Sequence, residues 1–275
     1  MKKTVSFLLI CLLPFLPMAA QSVVSAIPAS IAPANASTAY ADRWAVFHNP
    51  AILVGEKKIS ATAGFENRFM LKELGTASLG VAVPTKYVQV GGAFSFYGIS
   101  EAYYEIQAGI AVSRQFHEKF SMGVQFNYFS VYFSPTERNK GTVIAQIGFL
   151  SQVIKNLYLG FSAYNPLQTN IKSSTALNKR IPSVFSLGAM YRFTPKALWV
   201  AQVDKEIGNT VHWATGFEYQ IVDELSLRLG GYGSPGPFVP TLGFGVNFWK
   251  IRIDANFEYH LRLGLNSIAK VSCEF

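Results

Sequence analysis

Apolar and polar residues alternate one by one along most of the chain after residue 56. The clearest example is 251–260, where every second side chain is apolar and those between are polar, and the pattern resumes before the final Phe275. A period of two is typical of a β-strand with one apolar and one polar face. It predicts about fourteen strands, at 57–66, 74–83, 86–97, 102–115, 119–133, 140–153, 156–164, 182–193, 196–204, 209–221, 224–232, 238–248, 250–260 and 264–275.

The connections between these strands fall into two classes. Those after even-numbered strands are tight, such as Trp249-Lys250, whereas those after odd-numbered strands are mostly longer, the longest running from Asn165 to Ile181. Short turns at one end and long loops at the other are typical of outer-membrane barrels. Closure into a barrel also removes the unpaired edges that hydrocarbon does not tolerate. The sequence therefore predicts an all-β fold, a transmembrane antiparallel β-barrel of about fourteen strands over 57–275.

Composition favours the same fold. The chain is 50% hydrophobic and 15% charged, yet after residue 20 it has no apolar run long enough for a spanning helix. Half of every strand in a lipid-exposed barrel must be apolar, which accounts for this balance. Aromatic clusters near strand ends predict interfacial girdles: Phe94, Phe96, Tyr97, Tyr128, Phe129, Tyr132, Phe133, Tyr191, Phe193, Phe248 and Trp249.

The first twenty residues predict export. Lys2 and Lys3 precede a short apolar run, and small residues follow it up to Ala20, as in a secretory signal peptide. We expect 1–20 to be removed, which leaves Cys273 without a partner for an intramolecular disulfide. The formal charge of +8 is scattered singly along the chain, so nucleic-acid binding is not indicated. The predicted location is the outer membrane of a Gram-negative cell.

A short motif stands just before the first strand. An alanine-rich stretch containing Asp42 leads through Trp44-Ala45-Val46-Phe47 to Asn49-Pro50-Ala51. This resembles the N-terminal segment of the FadL superfamily of outer-membrane barrels, and it is more similar to the PorV/PorQ branch. Ile52 stands where a glycine usually follows. Together with the signal peptide and the strand count, the resemblance covers nearly the whole chain.

The resemblance implies that residues 21–56 fold into the lumen as a plug. These residues lack a period of two, and fourteen strands enclose more space than side chains alone fill. Pro50 fixes its own φ and biases Asn49 toward an extended conformation, so Asn49, Pro50 and Ala51 are the predicted hinge between plug and wall. The alternative is a periplasmic tail that ends in an ordinary turn.

The resemblance also implies a kinked third strand that opens the wall sideways. The predicted third strand contains Gly91 and Gly92, and paired glycines permit a bulge or a close approach. We expect a lateral gate at these two residues. The alternative is a site where the wall packs against the plug.

Charged residues of both signs occupy the rows predicted to face the lumen: Glu105, Arg114, Arg192, Glu218, Arg228, Arg252, Asp254 and Glu258. Mixed charges in a lumen pair with one another or with a plug, whereas an ion filter needs one sign. His212 and His260 are predicted to lie too far apart to share a metal, and no nucleophile motif accompanies either. We therefore predict no enzyme activity, no metal and no cofactor.

Two functions remain open at this point. The first is passive transport of a small hydrophobic compound across the outer membrane, bound in an apolar pocket beside the plug. The second is a PorV-like accessory or shuttle role with proteins of a type IX secretion system. Cations of the long loops predict contact with outer-membrane lipid or lipopolysaccharide phosphates, with simple solvation as the alternative: Arg138, Lys140, Lys172, Lys179 and Arg180.

Overall fold

Fourteen antiparallel strands form one closed barrel in the computed structural model, which describes residues 26–99, 102–133, 139–171, 179–234 and 237–275. The predicted signal peptide lies outside these ranges. The strands are β1 Ser60–Asn67, β2 Gly75–Pro84, β3 Gln89–Ile99, β4 Tyr103–His117, β5 Phe120–Phe133, β6 Lys140–Ile154, β7 Leu157–Tyr164, β8 Val184–Thr194, β9 Ala197–Glu206, β10 Val211–Val222, β11 Leu225–Gly233, β12 Val239–Phe248, β13 Ile251–His260 and β14 Gly264–Glu274.

The predicted barrel is confirmed, with strand bounds that differ from the predicted ones by at most three residues. Each strand pairs with its sequence neighbours, and β1 closes the cylinder by pairing with β14, from Ser60 opposite Glu274 to Asn67 opposite Ser267. The connections after even-numbered strands span two residues, except for 85–88. We call the end of the barrel with these connections the turn end. The opposite end, which includes the long connection 165–183, is the loop end.

The alternation places apolar side chains on the outside of the wall. Ile110, Phe126 and Leu187 project outward and are 67%, 60% and 59% exposed, as the lipid-facing side of a barrel requires. Two aromatic residues that we expected in an interfacial girdle lie elsewhere. Tyr97 and Phe129 are buried on inward rows, because their positions in β3 and β5 carry the parity of the lumen face. Within the described residues, no helix is long and apolar enough to cross a membrane.

Residues 26–56 lie inside the barrel, and we call them the plug. The plug contains one short helix, α1 Ala45–His48, and two 3-10 turns, Pro33–Asn35 and Pro50–Gly55. Both 3-10 turns have proline near their first position, where its fixed φ suits the turn and its missing N–H costs nothing. A further 3-10 turn, Lys72–Leu74, lies in the connection between β1 and β2.

Contact with the plug explains where the alternating pattern of the wall is weakest. In β9 the predicted period is hidden because an inward residue, Val200, is apolar. Val200 is fully buried and packs with Met190 of β8 against plug alanines that include Ala34 and Ala39. An inward side chain opposite an apolar part of the plug need not be polar, so the contrast between the two faces is lost there.

Candidate functional site

The predicted hinge Asn49-Pro50-Ala51 lies at the junction of α1 and the following 3-10 turn. The side chain of Asn49 is fully buried. Its Nδ2 donates to the carbonyl oxygens of Thr38 at 2.7 Å and Phe149 at 3.2 Å, and its Oδ1 accepts from Ala51 N at 3.0 Å. One amide therefore joins two parts of the plug to wall strand β6 and caps the turn that begins at Pro50. Hinge motion at these residues stays a prediction.

Inward-facing glycines make room for the plug, and the sequence analysis did not identify them. Gly123 on β5 and Gly148 on β6 are opposite each other, and a Cβ at Gly123 would lie 2.5 Å from the carbonyl carbon of Pro50. Two more opposed pairs contact the plug at Thr38 and Pro33 in the same way: Gly160 with Gly188, and Gly216 with Gly230. Their inward orientation could have been predicted from their parity, because these glycines fall on the same rows as the lumen-facing polar residues.

Gly91 and Gly92, the predicted lateral gate, lie in β3 and face opposite sides of the wall. A Cβ at Gly91 would lie 2.8 Å from Leu53 and 2.9 Å from Val46, both in the plug. Gly92 contributes to an apolar depression of about 860 Å³ on the outer surface, between strands β2 and β6. Strand β3 pairs with β2 and β4 without a register shift, so the wall is continuous here. A gate at these residues stays a prediction.

Four of the predicted lumen residues form one ion-pair network. Arg228 is 1% exposed and donates from Nε to Glu218 at 2.7 Å and from Nη2 to Asp254 at 2.6 Å. Arg252 donates to the same Asp254 carboxylate at 3.0 Å. The plug enters the network through Tyr40, whose hydroxyl donates to Glu218 at 2.5 Å. The two arginines and the two carboxylates balance in charge. The network therefore binds the plug to the wall, and it differs from an ion filter, which needs charges of one sign.

A second polar cluster, nearer the loop end, surrounds Glu258. Its carboxylate accepts from Asn35 Nδ2 of the plug at 2.5 Å, from the Tyr232 hydroxyl at 2.9 Å and from Asn266 Nδ2 at 3.2 Å. His260 Nε2 lies 3.8 Å from the same carboxylate. Like the Arg228 network, this cluster joins the wall to the plug.

Two arginines placed on the inward rows by sequence differ from this pattern. Arg192 has inward parity on β8 but is exposed at the turn end. Arg114 was expected to face inward, and that was wrong. Ser113, its neighbour on β4, is the buried inward residue, so Arg114 projects outward, where its guanidinium lies 5.7 Å from the centre of the Phe116 ring.

An apolar cluster of buried residues lies in the lumen near the loop end, on the side of β3 to β8, and we call this region the loop-end chamber. Ala26 and Ile27 of the plug pack into it. Asn165 anchors the covering connection: its side chain is fully buried and donates to the carbonyl oxygens of Thr169 at 3.0 Å and Ile181 at 3.1 Å. The buried wall and loop residues of the chamber are Tyr97, Phe129, Ile144, Tyr164, Ile171 and Ile181.

A charged pair closes the top of the loop-end chamber. Lys179 from the connection 165–183 reaches into the lumen and binds the buried carboxylate of Glu105, and its Nζ lies 5.7 Å from the centre of the Phe129 ring. The expectation that Lys179 contacts lipid phosphates was therefore wrong, because its side chain is directed into the lumen toward Glu105. Arg180 remains exposed and donates to the carbonyl oxygen of Ile207 at 2.8 Å. Lys172 and Arg138 lie outside the described residues.

The histidines are dispersed. Among the described residues, no three His, Cys, Asp or Glu side chains are grouped so that they could hold a metal ion. His260 belongs to the Glu258 cluster. His48 lies in the plug, where its carbonyl oxygen accepts from Gln146 at 2.6 Å and from Ser162 at 3.0 Å. Burial, and after it the positive charge of Lys270, lowers the pKa of His48 to about 3, so its ring is neutral at physiological pH.

Comparison with known proteins gives matches in structure alone. No protein-family model matches the chain, and no curated protein matches it in sequence. The fold is similar to that of the toluene transporter TodX of Pseudomonas putida, with a TM-score of 0.69 and 11% identity over 89% of this chain and 97% of that one. A FadL homologue of Pseudomonas aeruginosa matches at a TM-score of 0.64 and 13% identity, over 89% and 96% of the two chains.

CymD, a monoaromatic hydrocarbon channel, is also similar, with a TM-score of 0.66 and 12% identity over 89% of this chain and 97% of that one. At these identities the likeness shows the fold alone, a closed antiparallel barrel of fourteen strands similar to the barrels of these three proteins. The placement near the PorV/PorQ branch gains no support from these three structures. Neither does the accessory role in secretion that was the alternative function.

Proposed function

We propose that this protein is an outer-membrane channel for passive transport of small hydrophobic compounds. The observation that carries the proposal is the loop-end chamber, an apolar cluster inside a barrel whose outer surface is also apolar. A lumen that passes ions or sugars needs a polar lining. Buried apolar side chains beside a plug favour a solute that is poorly soluble in water. The similar structures include a toluene transporter and a monoaromatic hydrocarbon channel, which supports the same class of function.

The exit of the solute is proposed to lie at Gly91 and Gly92. Neither residue has a side chain, so the wall consists of backbone alone at these two positions. Leu53 and Val46 of the plug cover the inner face, and the apolar depression covers the outer face. A shift of the plug would then expose a short apolar route into the membrane. A solute that leaves sideways avoids the charged Arg228 network farther round the lumen.

Uptake of radiolabelled p-xylene by outer-membrane vesicles tests the function. We expect vesicles that contain the protein to take up p-xylene faster than vesicles without it. Ile144→Trp should reduce the protein-dependent rate more than tenfold, because Ile144 is fully buried in the loop-end chamber. Ile147→Trp is the matched control, since Ile147 lies on the same strand with outward parity. Equal rates with and without the protein, for p-xylene and for its hydroxylated analogue p-cresol alike, would refute the proposed function.

A further inference from the structure

Four polar side chains line the lumen wall beside the loop-end chamber: Ser95 on β3, Gln125 and Asn127 on β5, and Gln146 on β6. We call them the amide cluster. All four are at most 2% exposed. Gln125 is opposite Gln146 across the β5–β6 pair, and Asn127 is opposite Ile144 of the chamber. The amide cluster is therefore continuous with the apolar side chains beside it.

The hydrogen bonds of the amide cluster are incomplete. Gln125 Nε2 donates to Asn127 Oδ1 at 2.7 Å, and Gln146 Nε2 donates to the carbonyl oxygen of His48 at 2.6 Å. Four buried atoms of the cluster are left without a partner: Gln125 Oε1, Gln146 Oε1, Asn127 Nδ2 and Ser95 Oγ. Buried polar groups in folded proteins are almost always paired. Three of these unpaired atoms lie on the adjacent strands β5 and β6, and they therefore point to a ligand that pairs with them.

The unpaired atoms define the chemistry of that ligand. Gln125 Oε1 and Gln146 Oε1 accept hydrogen bonds, whereas Asn127 Nδ2 donates one. A hydroxyl group matches both, because it donates and accepts at the same time. A carbonyl oxygen would only accept, and a hydrocarbon would leave every one of these atoms unpaired.

The charges at the loop-end chamber restrict the class of ligand further. Lys179 is bound to Glu105, so the pair at the top of the chamber neutralises itself and leaves no net charge to hold a carboxylate there. On the basis of the proposed function, we propose that the substrate is a neutral hydroxylated aromatic of the phenol type. Its ring lies in the loop-end chamber, and its hydroxyl binds the amide cluster. A pure hydrocarbon is then a poorer substrate than its hydroxylated analogue.

Three solutes of similar shape test this inference in the vesicle assay: p-cresol, p-xylene and p-toluate. One hydrogen bond that satisfies a buried group corresponds to roughly 5- to 150-fold in affinity. We expect protein-dependent uptake of p-cresol to half-saturate at a concentration at least tenfold lower than that of p-xylene, and p-toluate to compete with neither. A half-saturating concentration for p-xylene equal to or below that of p-cresol would overturn the inference while leaving the proposed function intact. Absence of protein-dependent uptake for both neutral solutes would overturn the proposed function itself.

A double variant tests whether the amide cluster is the cause of the preference for p-cresol over p-xylene. Gln125→Leu with Asn127→Leu removes both members of a hydrogen-bonded pair, so neither is left buried alone. The ratio of the two half-saturating concentrations should fall to about one. Gln152→Leu is the control, because Gln152 lies on β6 at the turn end, where it bonds the carbonyl oxygen of Lys155. A double variant that folds and keeps the wild-type ratio would contradict the assignment, and the wild-type ratio alone tests the substrate class if the variant does not fold.

Discussion

Replacing Asn49 by alanine removes the amide that holds the plug to the wall. One of its three hydrogen bonds, to the Phe149 carbonyl oxygen at 3.2 Å, joins the plug to β6, whereas those with Thr38 O and Ala51 N, at 2.7 and 3.0 Å, lie within the plug. At about 1 kcal/mol net for the bond to the wall, the seated plug loses roughly 1 kcal/mol relative to the displaced plug. Since 1.4 kcal/mol is a factor of ten, the displaced state should become about fivefold more populated.

Single-channel recording in planar bilayers measures this change as the fraction of time that the channel conducts. Asn247→Ala is the matched control, because its inward side chain on β12 accepts one long hydrogen bond from Arg252 at 3.4 Å and does not touch the hinge. We expect the control to stay within a factor of two of the wild type. If Asn49→Ala conducts no more often than Asn247→Ala, the account of how the plug is held is wrong.

Three further predictions concern the wall and the plug. Gly91→Val should displace Leu53 and raise the leak of small ions, whereas Gly92→Val should leave the plug seated and slow hydrophobic uptake; wild-type uptake in Gly92→Val would contradict a gate there. Arg228→Met leaves Glu218 without a cationic partner and Asp254 with Arg252 alone, and it should lower the unfolding free energy by roughly 3–5 kcal/mol in urea titrations, against less than about 1 kcal/mol for the exposed Lys196→Met. The pKa of His48 is about 3 in the folded protein and 6.5 in the unfolded chain. The contribution of the neutral His48 ring to the free energy of unfolding is therefore fully present above pH 6.5 and is lost as the pH falls toward 3. Melting temperatures at pH 7.5 and 5 should therefore differ more in the wild type than in His48→Gln, and equal differences would contradict this.

The wall could be predicted from sequence because the alternation within each strand indicates which of its side chains face the lipid and which face the lumen. One face of a lipid-exposed strand must be apolar, so the parity of residues such as Ile251 and Arg252 assigns them to opposite faces without knowledge of the neighbours. The same parity correctly predicted that Glu218, Arg228 and Asp254 face the lumen. Where an inward residue such as Val200 contacts an apolar part of the plug, both faces of the strand are apolar and the parity no longer distinguishes them.

The contacts of the site could not be predicted because they join residues far apart in the chain. Nothing in the local sequence of Lys179 indicates that it binds Glu105, since the two residues are 74 positions apart in the chain. The same holds for Gly148, whose missing side chain accommodates Asn49. The parity of Phe129 was readable, and its assignment to a girdle was wrong because its place near a strand end was given more weight.

We expect a small hydrophobic solute to bind inside the barrel, in the loop-end chamber beside the plug. The most direct test is a crystal soaked with 4-bromophenol, in which anomalous scattering locates the bromine atom. We predict a peak in the lumen between Phe129, Ile144 and Tyr164, where buried apolar side chains surround the site. Bromine found only on the outer surface of the wall, such as the depression at Gly92, would contradict the claim.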